Sequence, residues 1–168
     1  LYLLYHYGHI LEGLFMSSLE RVQKFVAAYP DLQIILFDTS THTSELAAEA
    51  LGVEVGQIAK TLVFLADGNP VLVVTSGDKK VNTKKLAKVL QAKKVKFASG
   101  ELVEALTGFS PGGVSPVGLL KELPMYLDIS LFRFNVVYAA AGTANSALPV
   151  TPRRLQEITK AAVIDVCQ

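Results

Sequence analysis

In the stretch Ile58-Ala59-Lys60-Thr61-Leu62-Val63-Phe64-Leu65-Ala66-Asp67-Gly68-Asn69-Pro70-Val71-Leu72-Val73-Val74-Thr75, two apolar runs flank a turn sequence. The runs, Lys60 to Leu65 and Val71 to Thr75, are rich in residues that suit pleated backbone. Asp67-Gly68-Asn69-Pro70 is turn chemistry short enough to make a hairpin. The pattern predicts an antiparallel pair at the centre of a sheet. Alternation along the first run puts Lys60 on the same face as Leu62 and Phe64. A lysine there either snorkels outward from the strand start or is held in a partly desolvated site, where its ammonium pairs with an anionic or carbonyl oxygen.

Upstream of this pair, Leu19, Val22, Phe25 and Val26 have helical spacing ended by Pro30, and Ile34 to Phe37 reads as a strand. Ser17 and Glu20 have the spacing of a capping box. Ser44 to Leu51 repeats the helical pattern, with Leu46, Ala47, Ala50 and Leu51 on one face and Gly52 as C-cap. Downstream, Asn82 caps a helix to about Leu90, Val95 to Phe97 is a short strand, and Ser99 caps a helix through Leu106. Gly108 to Gly118 carries too many Gly and Pro residues for a regular element and reads as a shaped loop. Strands follow at Met125 to Ile129 and Val136 to Ala140, then a small-residue loop. Thr151-Pro152 opens a last helix to about Lys160, and Ala162 to Val166 closes as a strand. Helices interleaved with hairpins, rather than strict βαβ units, predict an α/β domain of the α+β type: a mixed, mostly antiparallel sheet with flanking helices.

The chain has 168 residues, 51% of them hydrophobic and 18% charged, with a formal net charge of +1. That supports one domain with a sizeable core and excludes a polybasic coat or an acidic tail. No run approaches the ~18 apolar residues of a membrane-spanning helix. The lone cysteine, Cys167, excludes an intrachain disulfide and a cysteine metal knuckle, which fits a reducing cytoplasm. Residues 1–15 differ from the rest, holding Tyr2, Tyr5 and Tyr7 of the six tyrosines and two of the three histidines. Lacking Lys and Arg, this leader does not read as a secretory signal. The domain is expected over 16–168, with Met16 as a candidate start.

Charge is segregated. Lys79, Lys80, Lys84, Lys85, Lys88, Lys93, Lys94 and Lys96 lie in an eighteen-residue stretch without an acid. The stretch carries +8; the rest, with eight bases against fifteen acids, carries −7. A phosphate backbone is a natural partner for such a run, and a solvated helix face is the alternative. The Gly108 to Gly118 loop is either a connector or a clamp that brings unhindered backbone N–H groups against a ligand oxygen. With His42 the only histidine beyond the leader, neither a Ser-His-Asp triad nor a Cys-His dyad is easily assembled. No histidine metal cluster, Walker-type loop or GxGxxG motif occurs, so no metal and no cofactor are expected.

Four motifs in order carry a resemblance. Glu45-Ala47-Ala48 precedes Leu51-Gly52-Val53. Ile58-Ala59-Lys60-Thr61-Leu62 and Gly77-Asp78-Lys79-Lys80-Val81-Asn82 follow, and Leu106-Thr107-Gly108 leads into Gly112-Gly113-Val114-Ser115-Pro116. From Met16 onward the chain resembles the YbaK/prolyl-tRNA synthetase-associated (ProX-like) editing domain family, whose fold is a mixed α/β domain around a curved sheet. The resemblance implies a trans-editing deacylase that hydrolyses the ester of mischarged tRNA, with tRNA-Pro carrying Ala, Ser or Cys as substrate. It implies aminoacyl-tRNA and prolyl-tRNA synthetase as partners. It makes Lys60 the critical residue and gives the segment Gly112, Gly113, Val114, Ser115 and Pro116 the aminoacyl ester. The family's later glycine-rich segment appears as Ala139-Ala140-Ala141-Gly142-Thr143-Ala144-Asn145, which keeps Gly142 and Asn145. Those two and Thr43 are expected to grip the amino acid or adenosine, and Lys79, Lys80, Lys84, Lys85 and Lys88 to meet the acceptor stem. A noncatalytic tRNA- or protein-binding module of the same fold is the alternative.

Overall fold

A computed structural model describes residues 15–168, so apart from Phe15 the leader expected over 1–15 lies outside the described residues. In chain order the elements are α1 (Ser18–Val26), β1 (Ile35–Leu36), α2 (Ser44–Leu51), β2 (Ile58–Ala66), β3 (Asn69–Ser76), α3 (Thr83–Leu90) and β4 (Val95–Phe97). After these come α4 (Gly100–Thr107), β5 (Met125–Asp128), β6 (Val137–Ala140), β7 (Ser146–Val150), α5 (Pro152–Thr159) and β8 (Ala162–Ile164). No helix among the described residues is long and apolar enough to cross a membrane.

The hairpin forms as its turn sequence predicts. Asp67 and Gly68 adopt φ of 49° and 83°, the left-handed pair that lets a two-residue turn follow the strand twist. β2 and β3 then pair from Ala59↔Ser76 to Ala66↔Asn69. The sheet order is β1-β7-β6-β2-β3-β5-β8, with β4 also on β2. Pairings β1–β7, β2–β3, β2–β4 and β6–β7 are antiparallel, and β2–β6, β3–β5 and β5–β8 parallel. The sheet is thus mixed and mostly antiparallel. Ser17 and Glu20 form the capping box of α1, and Thr43, Asn82, Ser99 and Thr151 cap α2 to α5 through their side chains.

Two corrections concern local pattern. Ser146–Val150, read as loop, is a strand between β1 and β6. Four of its five residues are buried, so it lacks the two-residue alternation of a half-exposed strand. Pro149 is tolerated because β1 pairs β7 only at Ser146 and Ala147, leaving that side of Pro149 without a strand partner. In α2, Leu46 is 45% exposed and Ala50 is exposed, while Ala48 is buried. Ser44 packs over Gly77, which turns Ser44, Ala48 and Leu51 inward and rolls Leu46 out.

The sheet separates two cores. The larger holds Ala59, Val63, Leu72, Val74 and Leu127 with Val22, Val103, Phe109, Val114 and Leu155. The smaller holds Phe64, Val71 and Val73 beneath Leu86 of α3 and Val166. Asp128, 1% exposed, pins the tail: its carboxylate accepts from the Ser130 and Val166 amides, each at 2.9 Å. Burial pushes this carboxyl's pKa upward, but the hydrogen bonds outweigh it and hold the pKa below the usual value. The resulting stability is complete above the unfolded pKa of ~3.9 and drains as pH falls through the folded one. Asp128→Asn is therefore expected to cost about 2 kcal/mol in neutral urea unfolding, because one amide donor loses its acceptor. The gap to wild type should narrow in acid. Equal stability at neutral pH would mean that the carboxylate does not hold the tail.

Candidate functional site

β2 changes neighbours along its length. It pairs β6 only through Ile58 and Ala59, and β4 only from Phe64 onward. Its edge from Lys60 to Leu62 therefore has no strand partner on that side. A cavity of about 320 Å³ fills the fork, within the usual range of small-molecule sites. Because it wraps an open edge, it draws on both faces of β2, with Ala59 and Thr61 from one and Lys60 and Leu62 from the other.

The remaining walls come from three segments. Thr43, Ser44 and Glu45 bring the N-terminal turn of α2, Gly112, Gly113 and Val114 bring the glycine-rich loop, and Ala140, Thr143, Ala144, Ser146 and Ala147 bring the β6–β7 turn. Backbone bonds zip two of these walls: Thr41 donates to the Ala144 carbonyl from its amide (2.7 Å) and its hydroxyl (2.8 Å), and Phe37 N–H donates to the Asn145 carbonyl at 3.0 Å. Gly77 also lines the cavity, and a Cβ there would stand 2.5 Å from the Val55 carbonyl oxygen. Only glycine lets α2 seat so close.

Lys60 is half-buried and lines the cavity, and its ammonium makes no hydrogen bond or ion pair among the described residues. Thr61, 7% exposed, also lines it, and its hydroxyl is buried without a hydrogen-bond partner. That oxygen has no accessible surface, so Thr61 borders the cavity without presenting its hydroxyl to it. In the loop, Gly113 N–H closes a turn onto the Ser110 carbonyl at 3.0 Å, and Gly112 takes φ of +83°. The Gly112 and Val114 amides donate to no acceptor among the described residues. The cavity is thus lined by a lysine with an unpaired ammonium and by two residues whose amides have no acceptor, groups that can aid an oxygen that gains negative charge.

The structure brings together Lys60, Gly112, Gly113, Val114 and Thr43 of the predicted residues, and it leaves others out. Thr43 caps α2, accepting from the Leu46 amide at 3.1 Å. Ser115 and Pro116 are buried behind the loop and do not line the cavity; the Ser115 hydroxyl accepts from Val117 N–H at 3.2 Å. Gly142 and Asn145 do not line it either. The Asn145 side chain is exposed and accepts from the Thr143 hydroxyl at 2.9 Å. Ala141, which the small-residue pattern groups with Ala140 and Ala144, is buried in the larger core. Thr61 was missed, its only sequence signal being a hydroxyl beside Lys60 in an apolar run.

Cys167 lies on the same face of the sheet as Lys60. Its thiol is 2.9 Å from the hydroxyl of Thr75, the cross-strand partner of Lys60, and burial pushes its pKa up to about 11. It is protonated at neutral pH and does not supply a thiolate nucleophile.

The sequence profile of the aminoacyl-tRNA editing domain matches residues 38–158, so every wall of the cavity except Phe37 falls inside it. This chain belongs to the aminoacyl-tRNA editing domain family. It is 42% identical over 134 residues to the uncharacterized protein YwhH of Bacillus subtilis, covering 79% of this chain and 85% of that protein. It is 33% identical over 125 residues to EbsC of Enterococcus faecalis, named as a candidate Cys-tRNA(Pro)/Cys-tRNA(Cys) deacylase, covering 74% of this chain and 76% of that one. Proline–tRNA ligase of Bacillus licheniformis matches at 41% over 106 residues, 63% of this chain but 18% of the ligase. A solved structure described as a candidate trans-editing enzyme for prolyl-tRNA synthetase superposes with a TM-score of 0.85 at 36% identity, covering 92% of this chain and 99% of that one.

Gly142 has a structural reason for being glycine: at φ +97°, a Cβ would stand 2.6 Å from the Ser18 carbonyl oxygen. Gly142→Ala is expected to lower stability by about 1–3 kcal/mol in denaturant unfolding, through strain and the clash with α1. Unchanged stability would return Gly142 to the ligand-binding candidates.

Proposed function

We propose that the protein is a trans-editing deacylase that hydrolyses the ester of tRNA-Pro mischarged with a small amino acid, in the cytoplasm and alongside prolyl-tRNA synthetase. The observation that carries the reading is the fork in the sheet, where Lys60, with its unpaired ammonium, and Gly112 and Val114, with their unpaired amides, line one cavity. The likeness to a solved structure described as a candidate trans-editing enzyme for prolyl-tRNA synthetase supports the same reading.

An aminoacyl ester is already activated, so the protein has to hold it, stabilise charge and place a water. Water adds to the ester carbonyl carbon, and the carbonyl oxygen takes up negative charge opposite the Gly112 and Val114 amides. The carbon–oxygen bond to the ribose then breaks, the ribose oxygen takes a proton, and amino acid and tRNA separate. Lys60 stabilises the carbonyl or terminal phosphate oxygen, and the neighbouring ribose hydroxyl orients the water. Thr61 and Thr43 border the same space. Gly142 and Asn145 shape the β6–β7 turn, while Ser115 and Pro116 back the loop. Lys79, Lys80, Lys84, Lys85 and Lys88 meet the acceptor stem.

Ala140, Ala144 and Ala147 leave the amino-acid end roomy and uncharged. Such a lining excludes larger side chains and rejects smaller ones poorly, at about 1–3 kcal/mol per methylene. Alanine, serine or cysteine on tRNA-Pro should be released fastest across a panel of Ala, Ser, Cys, Thr and Pro esters. Efficient release of cognate proline would overturn the editing reading.

Lys60→Ala is expected to slow deacylation by at least ~100-fold, the scale of one electrostatic stabiliser in a sheltered site. Its melting temperature should hardly move, since Lys60 has no partner to lose. A wild-type rate would remove Lys60 from the mechanism, and a collapse in melting temperature would make its role structural.

A further inference from the structure

The lysine-rich stretch forms a track as long as the central strand. β3 ends beside the start of β2, so Lys79 and Lys80 emerge at the cavity end of the sheet. α3 then runs back along the smaller core with Leu86 buried beneath it. The far end is fixed at the hairpin tip, where Asp67 accepts from the amides of Lys93 (3.0 Å) and Lys94 (2.9 Å). β4 follows, with Lys96 opposite Leu65. Nine residues of β2 at ~3.3 Å each make the track about 25–30 Å long.

Asp78 and Asp67 flank its two ends, but most of its ammonium groups are unpaired. Lys85 is engaged, its ammonium donating to the Cys167 carbonyl at 2.9 Å. Lys79, Lys80, Lys84, Lys88, Lys93, Lys94 and Lys96 make no ion pair among the described residues. A solvated face would be laced with acids at helical spacing, and none lies in the stretch. Single-stranded nucleic acid is held by aromatic platforms interleaved with such charges. Residues 79–96 contain no aromatic, and the neighbouring Phe97, which packs tilted on Phe64 at 4.5 Å between centroids and is 58% exposed, is a single ring beside the stretch rather than a series of platforms along it. A phosphate-only contact of this length suits a duplex read by its backbone; at the roughly 2.8 Å rise per pair of A-form RNA, seven base pairs cover about 20 Å of it and a single-stranded 3′ end covers the rest.

The geometry points to Lys93, Lys94 and Lys96, with Asp67 holding two of their amides, as a distal phosphate clamp on an RNA duplex whose 3′ end lies at the Lys60 cavity. This rests on the reading of that cavity as the aminoacyl-ester site, but it makes its own claim: the protein measures stem length. The probes are uncharged RNA hairpins with the same single-stranded 3′ end and stems of three or seven base pairs, titrated by fluorescence anisotropy across a salt series.

Wild type should bind the seven-pair hairpin at least tenfold tighter than the three-pair one. Lys93→Glu/Lys94→Glu/Lys96→Glu should lose that increment, and its salt slope on the long stem should fall by about two to three, near 0.7–0.9 per lysine. The neutral Lys93→Gln/Lys94→Gln/Lys96→Gln variant should lose part of it at unchanged melting temperature. A variant that keeps the full increment and slope would overturn the clamp, as would a wild type indifferent to stem length. If wild type shows the increment through these lysines yet leaves aminoacyl esters intact, the clamp stands and the deacylase reading falls.

Discussion

The strand Ile58–Ala66 has to serve β3 along one edge and two different neighbours along the other. β6 pairs it at Ile58 and Ala59, β4 from Phe64, and the residues between are left with an open edge. Much of the site follows from this. A sheet edge inside a domain must be covered or put to use, and here a cavity wraps it, which gives residues from both faces of one strand a common space. The eight-pair ladder to β3 keeps the strand rigid where it lacks a second neighbour.

The surrounding loops are held with little freedom. Thr41 and Phe37 tie the segment before α2 to the β6–β7 turn, and Gly77 and Gly142 allow two helix N-termini to approach backbone closely. On the other side of the sheet, the Asp128 carboxylate and Lys85 hold the C-terminal tail against the strand that backs Lys60. Lys60, Gly112 and Val114 keep unpaired polar groups at the cavity, while Thr41, Thr43, Thr143 and Ser146 in its walls are paired. That contrast is typical of a site in which the protein has already been ordered before the ligand arrives.

Local chemistry was legible in the sequence. The Asp67-Gly68 turn, the capping box at Ser17 and Glu20, the caps at Thr43, Asn82, Ser99 and Thr151, and the glycine-rich loop each depend on a few neighbouring residues. Partner choice was not legible. The parallel pairings of β2 with β6 and β5 with β8 join segments far apart in sequence, and nothing local encodes them. β7 escaped because burial removed its alternation, and the inward face of α2 was set by contact with Gly77 rather than by hydrophobicity. The site was half legible for the same reason. Lys60 and the loop stand out as residue types, whereas Thr61 acquires meaning only from the missing β6 pairing beside it, and Asn145 and Ser115 lose theirs to local hydrogen bonds.

Family membership and the geometry of the fork support the ester chemistry proposed above, in which an ammonium and backbone amides surround a carbonyl without a protein nucleophile and the only thiol stays protonated. The most direct test of this account is ester loss from tRNA-Pro mischarged with alanine, followed with protein at well below the substrate concentration. The account predicts many turnovers per protein molecule, with free alanine and intact tRNA as products. Stoichiometric binding of the mischarged tRNA with the ester preserved would contradict it and leave a noncatalytic binding module.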